Sequence, residues 1–299
     1  MGQSALIEGW RQLWRHQRIL WWLFFINLVL ARSAVRPMAA RWSPILDHSA
    51  AADALYHGFN VFRYLELVLR PEIGFSSAGP VIVGPAFIFF VFVLFVTGGI
   101  LSAYRAETKL STAEFFQASG AFFWRFVRLL IMLLVVMVPI GIIAAIVFRL
   151  AGHLSRDAAP EKLGFWVELA GGLVILFIMM CARLGFDMAQ VHSVASGERA
   201  MRRAVVRGFK LTFGNFASLF GIYFLPSLVS WAGMAVILCI WARLVPSTAV
   251  LTSFFLLQVG MLLWLGTRLW QRSSETAWYQ NHEGAGVLVS ATGSTPIEK

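Results

Sequence analysis

Charge is scarce in this 299-residue chain: Asp, Glu, Lys and Arg together supply 13% of it, about half of the ~25% usual in soluble domains. That shortage argues against an ordinary water-soluble globule. Cysteine is nearly absent too. Cys181 and Cys239 both fall inside apolar stretches, where a free thiol behaves as a small hydrophobe and carries no information about redox compartment. Long polar segments are also missing. The longest connection, Arg41 to Pro80, spans roughly 40 residues, fewer than the ~50 a separate folded domain needs. Motifs for chemistry are lacking as well. There is no H-E-x-x-H and no Walker A sequence, and Ala118-Ser119-Gly120 has neither the flanking glycine of a nucleophile elbow nor an obvious His partner.

What the chain has instead is six long apolar stretches, near Ile19–Ala39, Val81–Ala103, Phe126–Phe148, Gly164–Phe186, Gly214–Ile240 and Ser247–Trp270. Each is near or above the roughly 20 residues a helix needs to cross about 30 Å of hydrocarbon. The expected fold is therefore all-α: a polytopic membrane protein with six transmembrane helices in a single domain over residues 1–272. The tail, 273–299, is polar and rich in Gly, Ser and Thr, and reads as disordered. Ala31-Arg32-Ser33 faintly resembles a signal-peptidase site. The long Trp-rich segment before it and the arginine within it favour an uncleaved anchor.

The formal charge of +10 follows topology. The N-terminus, even-numbered loops and tail hold 16 Lys and Arg, against 9 on the opposite face. The positive-inside rule then puts both termini in the cytoplasm. The expected partners are the bilayer and its anionic headgroups, not nucleic acid.

Three spans are preceded by basic, aromatic, amphipathic segments, at Ile7–Arg18, Thr112–Arg128 and Glu198–Lys210. This is the pattern of helices lying in the headgroup layer. The unit of one interfacial helix and two spans would be used three times, at spacings of roughly 110 and 90 residues. A basic collar on any span entering from that side explains the pattern equally. Trp10, Trp14, Trp21, Trp22, Trp124, Trp166, Trp241, Trp264 and Trp270 fall near span ends or flanks, as aromatic belts require. In the first outer loop, Leu55, Phe59, Phe62, Leu65 and Leu69 recur at three- and four-residue steps, which predicts an amphipathic helix.

Ionisable residues within or beside spans are the place to look for function. Arg183 and Asp187 lie one turn apart on one helix face. They read either as a gate or as an interfacial ion pair that fixes helix depth, worth a few tenths of a kcal/mol. Arg32, Arg149 and Arg243 near outer span ends, with Glu168, read as an anion-attracting vestibule or as snorkelling side chains. Pro139 and Pro226 interrupt the third and fifth spans, a pointer toward a transport site. His48 and His57, with Asp47 and Asp53, lack the close spacing of a metal site. No catalytic residue, metal or cofactor is assigned.

The runs Arg183–Ala189, Glu198–Lys210 and Gly221-Ile222-Tyr223, with Gly98–Leu101, Tyr104-Arg105 and Phe122–Leu129, resemble a group of uncharacterised bacterial six-span integral membrane proteins. Met188 departs from that group, in which Tyr often follows the Asp. A looser likeness, of topology alone, is to the membrane domain of some glycerophosphodiesterases, whose catalytic barrel is absent here. The resemblance implies an inner-membrane protein with no activity to carry over. The expected function is non-enzymatic, an accessory or structural subunit of a membrane complex. A small permease-like carrier is the alternative, and an intramembrane enzyme a third class. Whether Asn27, Arg183, Asp187 and Gln258 share a cavity separates them.

Overall fold

A computed structural model describes residues 2–47, 62, 65, 69, 75–106, 109–157, 161–246 and 249–292. The helices are α1 (Gly2–Arg15), α2 (Gln17–Leu46), α3 (Phe75–Arg105), α4 (Thr112–Asp157), α5 (Glu161–Ser196), α6 (Met201–Gly214), α7 (Phe216–Leu244) and α8 (Val250–Thr292). The six helices other than α1 and α6 are long and apolar enough to cross a membrane. The protein is an all-α, multi-pass membrane protein. Of the outer-loop helix, only Phe62, Leu65 and Leu69 are described; they are helical and exposed.

Packing is concentrated at one end of the bundle, where α1, α6 and the start of α4 form a collar. Buried side chains gather there, including Leu101, Phe126, Leu129, Leu184, Met188, Leu219 and Ile222. Toward the far end the spans present apolar surface outward, as at Val135, Val138, Leu176, Trp231, Leu244 and Leu251. No residue of the most apolar stretch of α4 is buried. In hydrocarbon such exposure costs nothing, because lipid tails are as apolar as the side chains they meet.

The collar repeats a local geometry three times. Gly9, Ser119 and Gly208 are each the eighth residue of their helix, and each lies where that helix crosses the lower part of a span. A Cβ on Gly9 would sit 2.7 Å from Ser274 Cα in α8. A Cβ on Gly208 would sit 2.6 Å from the Gly185 carbonyl and 2.7 Å from Ala189 N in α5. At the α4 crossing the small partner is Gly99 of α3, where a Cβ would meet the Phe115 carbonyl at 2.7 Å. Small residues let the backbones approach this closely. Four residues earlier in the two short helices, Ala5 and Ala204 are fully buried on the same face.

Both short helices end in the same elbow. His16 (φ −113°, ψ 30°) and Asn215 (φ −131°, ψ 36°) interrupt the chain for one residue before a span begins. The backbone N–H of each donates to the carbonyl four residues back, Gln12 and Leu211, at 3.1 Å. Each side chain returns to that same carbonyl, His16 Nδ1 at 3.1 Å and Asn215 Nδ2 at 3.4 Å. The side chain thus adds a second contact to a carbonyl that already accepts the backbone N–H of the same residue. The α4 segment has no such break and runs straight into its span.

The ring closes through α8. This helix packs on α1, α2, α3, α5 and α7, and its residues Ser273–Tyr279 are buried. The disordered tail expected from Ser273 is therefore corrected: α8 continues without interruption to Thr292. Ser273 Oγ donates to the Gly9 carbonyl at 2.8 Å, Trp270 Nε1 to the Leu6 carbonyl at 2.9 Å, and Trp278 Nε1 to Ser218 Oγ at 3.1 Å. Tertiary contact makes this polar stretch helical; its composition alone does not. At the end of α5, Gly197 adopts φ +68°, the left-handed conformation that stops a helix at low cost with glycine.

Candidate functional site

Asp187 is the only acidic residue between Glu168 and Glu198, and the fold buries it, leaving 4% exposed. It sits on α5 within the segment crossed by Gly208, and α8 faces it. Its nearer partner is Arg272, whose Nη2 lies 2.9 Å from Asp187 Oδ1. The partner expected from sequence, Arg183, is looser, with Nε 3.9 Å from Oδ2 and a side chain 45% exposed. The network continues along α8. Arg272 Nη1 lies 3.6 Å from Glu275 Oε2, Gln271 Nε2 donates to Glu275 Oε1 at 2.8 Å, and Arg268 Nη1 donates to Gln271 Oε1 at 3.3 Å.

This chain of contacts ties α5 to α8 at the level where α1 crosses α8. Glu275 is fully buried, and a buried carboxylate stays ionised only when paired and hydrogen-bonded. Arg272 gives it and Asp187 a shared cation. Sequence reasoning missed Glu275 because Ser273 was the expected start of the disordered tail, and Arg272 because it falls just past the last apolar stretch, which ends at Trp270. The signal that could have found them is periodic. Leu265, Leu269, Thr276 and Tyr279 are buried at helical steps along α8, with Arg272 between them.

A second clasp joins α3, α5 and α8 nearby. Arg105 Nη1 donates to the Val194 carbonyl at 3.0 Å, and Gln280 Nε2 donates to the Arg105 carbonyl at 3.1 Å. His192 and Tyr279 meet through Nδ1 and the hydroxyl at 2.7 Å. A cleft of about 10 Å³ lies among these residues.

The larger cleft, about 40 Å³, opens between α7 and α8. From α7 it is lined by Pro226, Ser227, Ser230 and Trp231, and from α8 by Trp264, Thr267, Arg268 and Gln271. Pro226 offers no N–H to the turn before it, which opens the helix there. Pro139 faces outward on α4 instead, so the two interrupted spans do not build one site.

The other expected residues stay apart. Arg32, Arg149, Arg243 and Glu168 are exposed on four different helices, and none lines either cleft. Their exposure suits long side chains reaching for headgroups and an open vestibule alike. Asn27, Arg183, Asp187 and Gln258 line neither cleft. Among the described residues no three His, Cys, Asp or Glu side chains group as metal ligands; His48, Asp53 and His57 lie outside those residues. His16 is also buried at the collar, edge-on to Tyr104 with ring centroids 5.7 Å apart. Burial pushes the His16 imidazole below its usual pKa, with Arg15, Arg18 and Lys109 adding to the effect. No family model, no curated protein and no solved structure matches this chain.

Proposed function

We propose that the protein is a non-enzymatic accessory subunit of a membrane complex in a bacterial inner membrane, with the collar and both termini in the cytoplasm. One observation carries the reading. The collar end is cross-tied by backbone-close helix crossings and a buried ionic network, while the far half of α4 leaves a continuous apolar face uncovered by its own chain. Ile131, Val135, Val138, Ile142 and Ile146 recur at near-helical steps along it, all exposed. A Cβ on Gly141 beside them would meet nothing within 4 Å. The other small-residue pairs are already used: Gly98 and Gly99 pack on the start of α4, and Gly171 packs on Val147. Gly141 thus gives this apolar face a point at which the backbone of a partner helix can approach closely.

The carrier reading has the polar cleft at Pro226 in its favour, but about 40 Å³ is far below the ~300 Å³ at which small-molecule pockets begin. A photo-reactive side chain at Val138, activated in native membranes, should give a discrete protein adduct, and one at buried Leu129 should not. Lipid adducts alone at Val138 would overturn the accessory reading.

A further inference from the structure

The cleft between α7 and α8 has the chemistry of a phosphate site. We propose that it binds the phosphate group of an anionic glycerophospholipid, held from the side of the bundle. Around α5 and α8 stand three cations, Arg183, Arg268 and Arg272, and two carboxylates, Asp187 and Glu275. Arg272 contacts both carboxylates and Arg183 contacts Asp187. Arg268 makes no ion pair among the described residues; its guanidinium donates to Gln271 and lies 5.9 Å above the Trp264 ring. Tyr223 and, from beyond salt-bridge distance, Asp187 act favourably on this half-buried arginine, and a bound anion adds the close counter-charge that they do not supply.

The lining supplies the rest of the recognition. No acidic residue lines the cleft, and Ser227, Ser230 and Thr267 bring hydroxyls to it. Ser227 and Thr267 donate to backbone carbonyls of their own helices and must turn from them to reach a phosphate oxygen, so Ser230 is the hydroxyl best placed to donate beside Arg268. Arginine suits phosphate because its fork of N–H groups matches two oxygens at once. The volume, about 40 Å³, has room for about three waters at ~10–15 Å³ each, the scale of one phosphate group and not of a whole solute.

The position selects a lipid over a free ion. Arg268 lies six residues from Ser274, the point where α1 crosses α8, which is about 9 Å along the helix. That places it just on the membrane side of the collar. Trp264, 41% exposed, lies beside Arg268 at the mouth, as tryptophans do where headgroups meet acyl chains, and Trp231, 77% exposed, lines it from deeper in the apolar span. The need for one close counter-charge favours a headgroup of net charge −1 over a zwitterion.

The test follows thermal unfolding of the full chain, delipidated in neutral detergent, with added phosphatidylglycerol, phosphatidylcholine or inorganic phosphate. Phosphatidylglycerol should raise the melting temperature, and the other two should raise it much less. Arg268→Gln should weaken the apparent affinity for phosphatidylglycerol on the order of 10-fold, the loss of one charge-assisted contact. Arg268→Lys should restore part of it. Ser230→Ala, outside the ionic network, should weaken it without lowering the lipid-free melting temperature, which keeps the test open should Arg268→Gln misfold. Arg203→Gln, an exposed cation on α6, should leave the lipid response unchanged. Equal stabilisation by inorganic phosphate or phosphatidylcholine overturns the proposal, as does an equal loss in Arg203→Gln.

Discussion

Replacing Gly208 by alanine tests whether the collar is held by backbone-close crossings. The three atoms nearest to an added Cβ are all backbone: the Gly185 carbonyl at 2.6 Å, Ala189 N at 2.7 Å and Ala189 Cα at 2.9 Å. None can rotate away, so α5 and α6 must separate, by roughly 0.8 Å to regain an ordinary contact near 3.4 Å. Overpacking of this kind costs about 1–3 kcal/mol, and the wider gap also loosens the edge-on contact of Phe209 with Phe186. Against it stands the intrinsic gain of alanine over glycine in a helix, about 1 kcal/mol. Gly120 isolates that gain, because it lies within α4, exposed, with nothing within 4 Å of an added Cβ. The measured quantity is the difference in thermal unfolding between Gly208→Ala and Gly120→Ala in the same detergent, followed by tryptophan fluorescence. The intrinsic gain cancels, and Gly208→Ala should be the less stable by about 1–3 kcal/mol. If Gly208→Ala melts at or above Gly120→Ala, the close-crossing argument is wrong.

Gly9→Ala should behave like Gly208→Ala in the same assay, since Ser274 N and Cα lie 2.6 and 2.7 Å from its Cβ position. His16 gives a pH signature. Its folded pKa lies below the ordinary 6.5, so the unfolded chain binds more protons as pH falls through 6.5 toward the folded value. Stability is therefore full above about 6.5 and declines across that window. His16→Asn, which copies the elbow at Asn215 without a titrating group, should flatten the decline in a pH series of melting temperatures. Ending the chain after Arg272 removes buried Ser274, Glu275, Trp278 and Tyr279 and should abolish the cooperative unfolding that a dispensable tail would leave intact. Reporter fusions after Lys299 and near Asp53 test the charge-derived orientation, and an active periplasmic reporter at Lys299 would reverse it.

Element type and span number were legible because a run of some twenty apolar residues has few other uses. The i, i+4 spacing also gave Arg183 and Asp187 as neighbours, and their charged groups lie 3.9 Å apart. What spacing could not rank is partner strength. Arg183 is adjacent in sequence yet largely exposed, whereas Arg272 comes from a helix 85 positions away and holds the shorter bond. The boundary at Ser273 failed for a related reason: Ser, Glu and Thr look unstructured by composition, but Ser273 donates to the Gly9 carbonyl of α1, Ser274 and Thr276 donate to carbonyls one turn back in α8, and Glu275 accepts from Gln271. The threefold pattern was visible as basic, aromatic segments. The residues that define it in three dimensions, Gly9, Ser119 and Gly208, are small ones that hydropathy does not register.

The Asp187–Arg272 bond is the centre of this account, because it joins α5 to α8 inside the collar. A double-mutant cycle of Asp187→Asn and Arg272→Gln, read by thermal or denaturant unfolding in detergent, measures it directly. Removing either partner of a buried pair costs about 3–5 kcal/mol, and the 22% exposure of the Arg272 side chain puts the expected loss at the lower end. The double change should then recover a coupling of about 1–3 kcal/mol. Losses that add to within about 0.5 kcal/mol would show that the two residues do not act as a pair, and the locked collar would have to be abandoned.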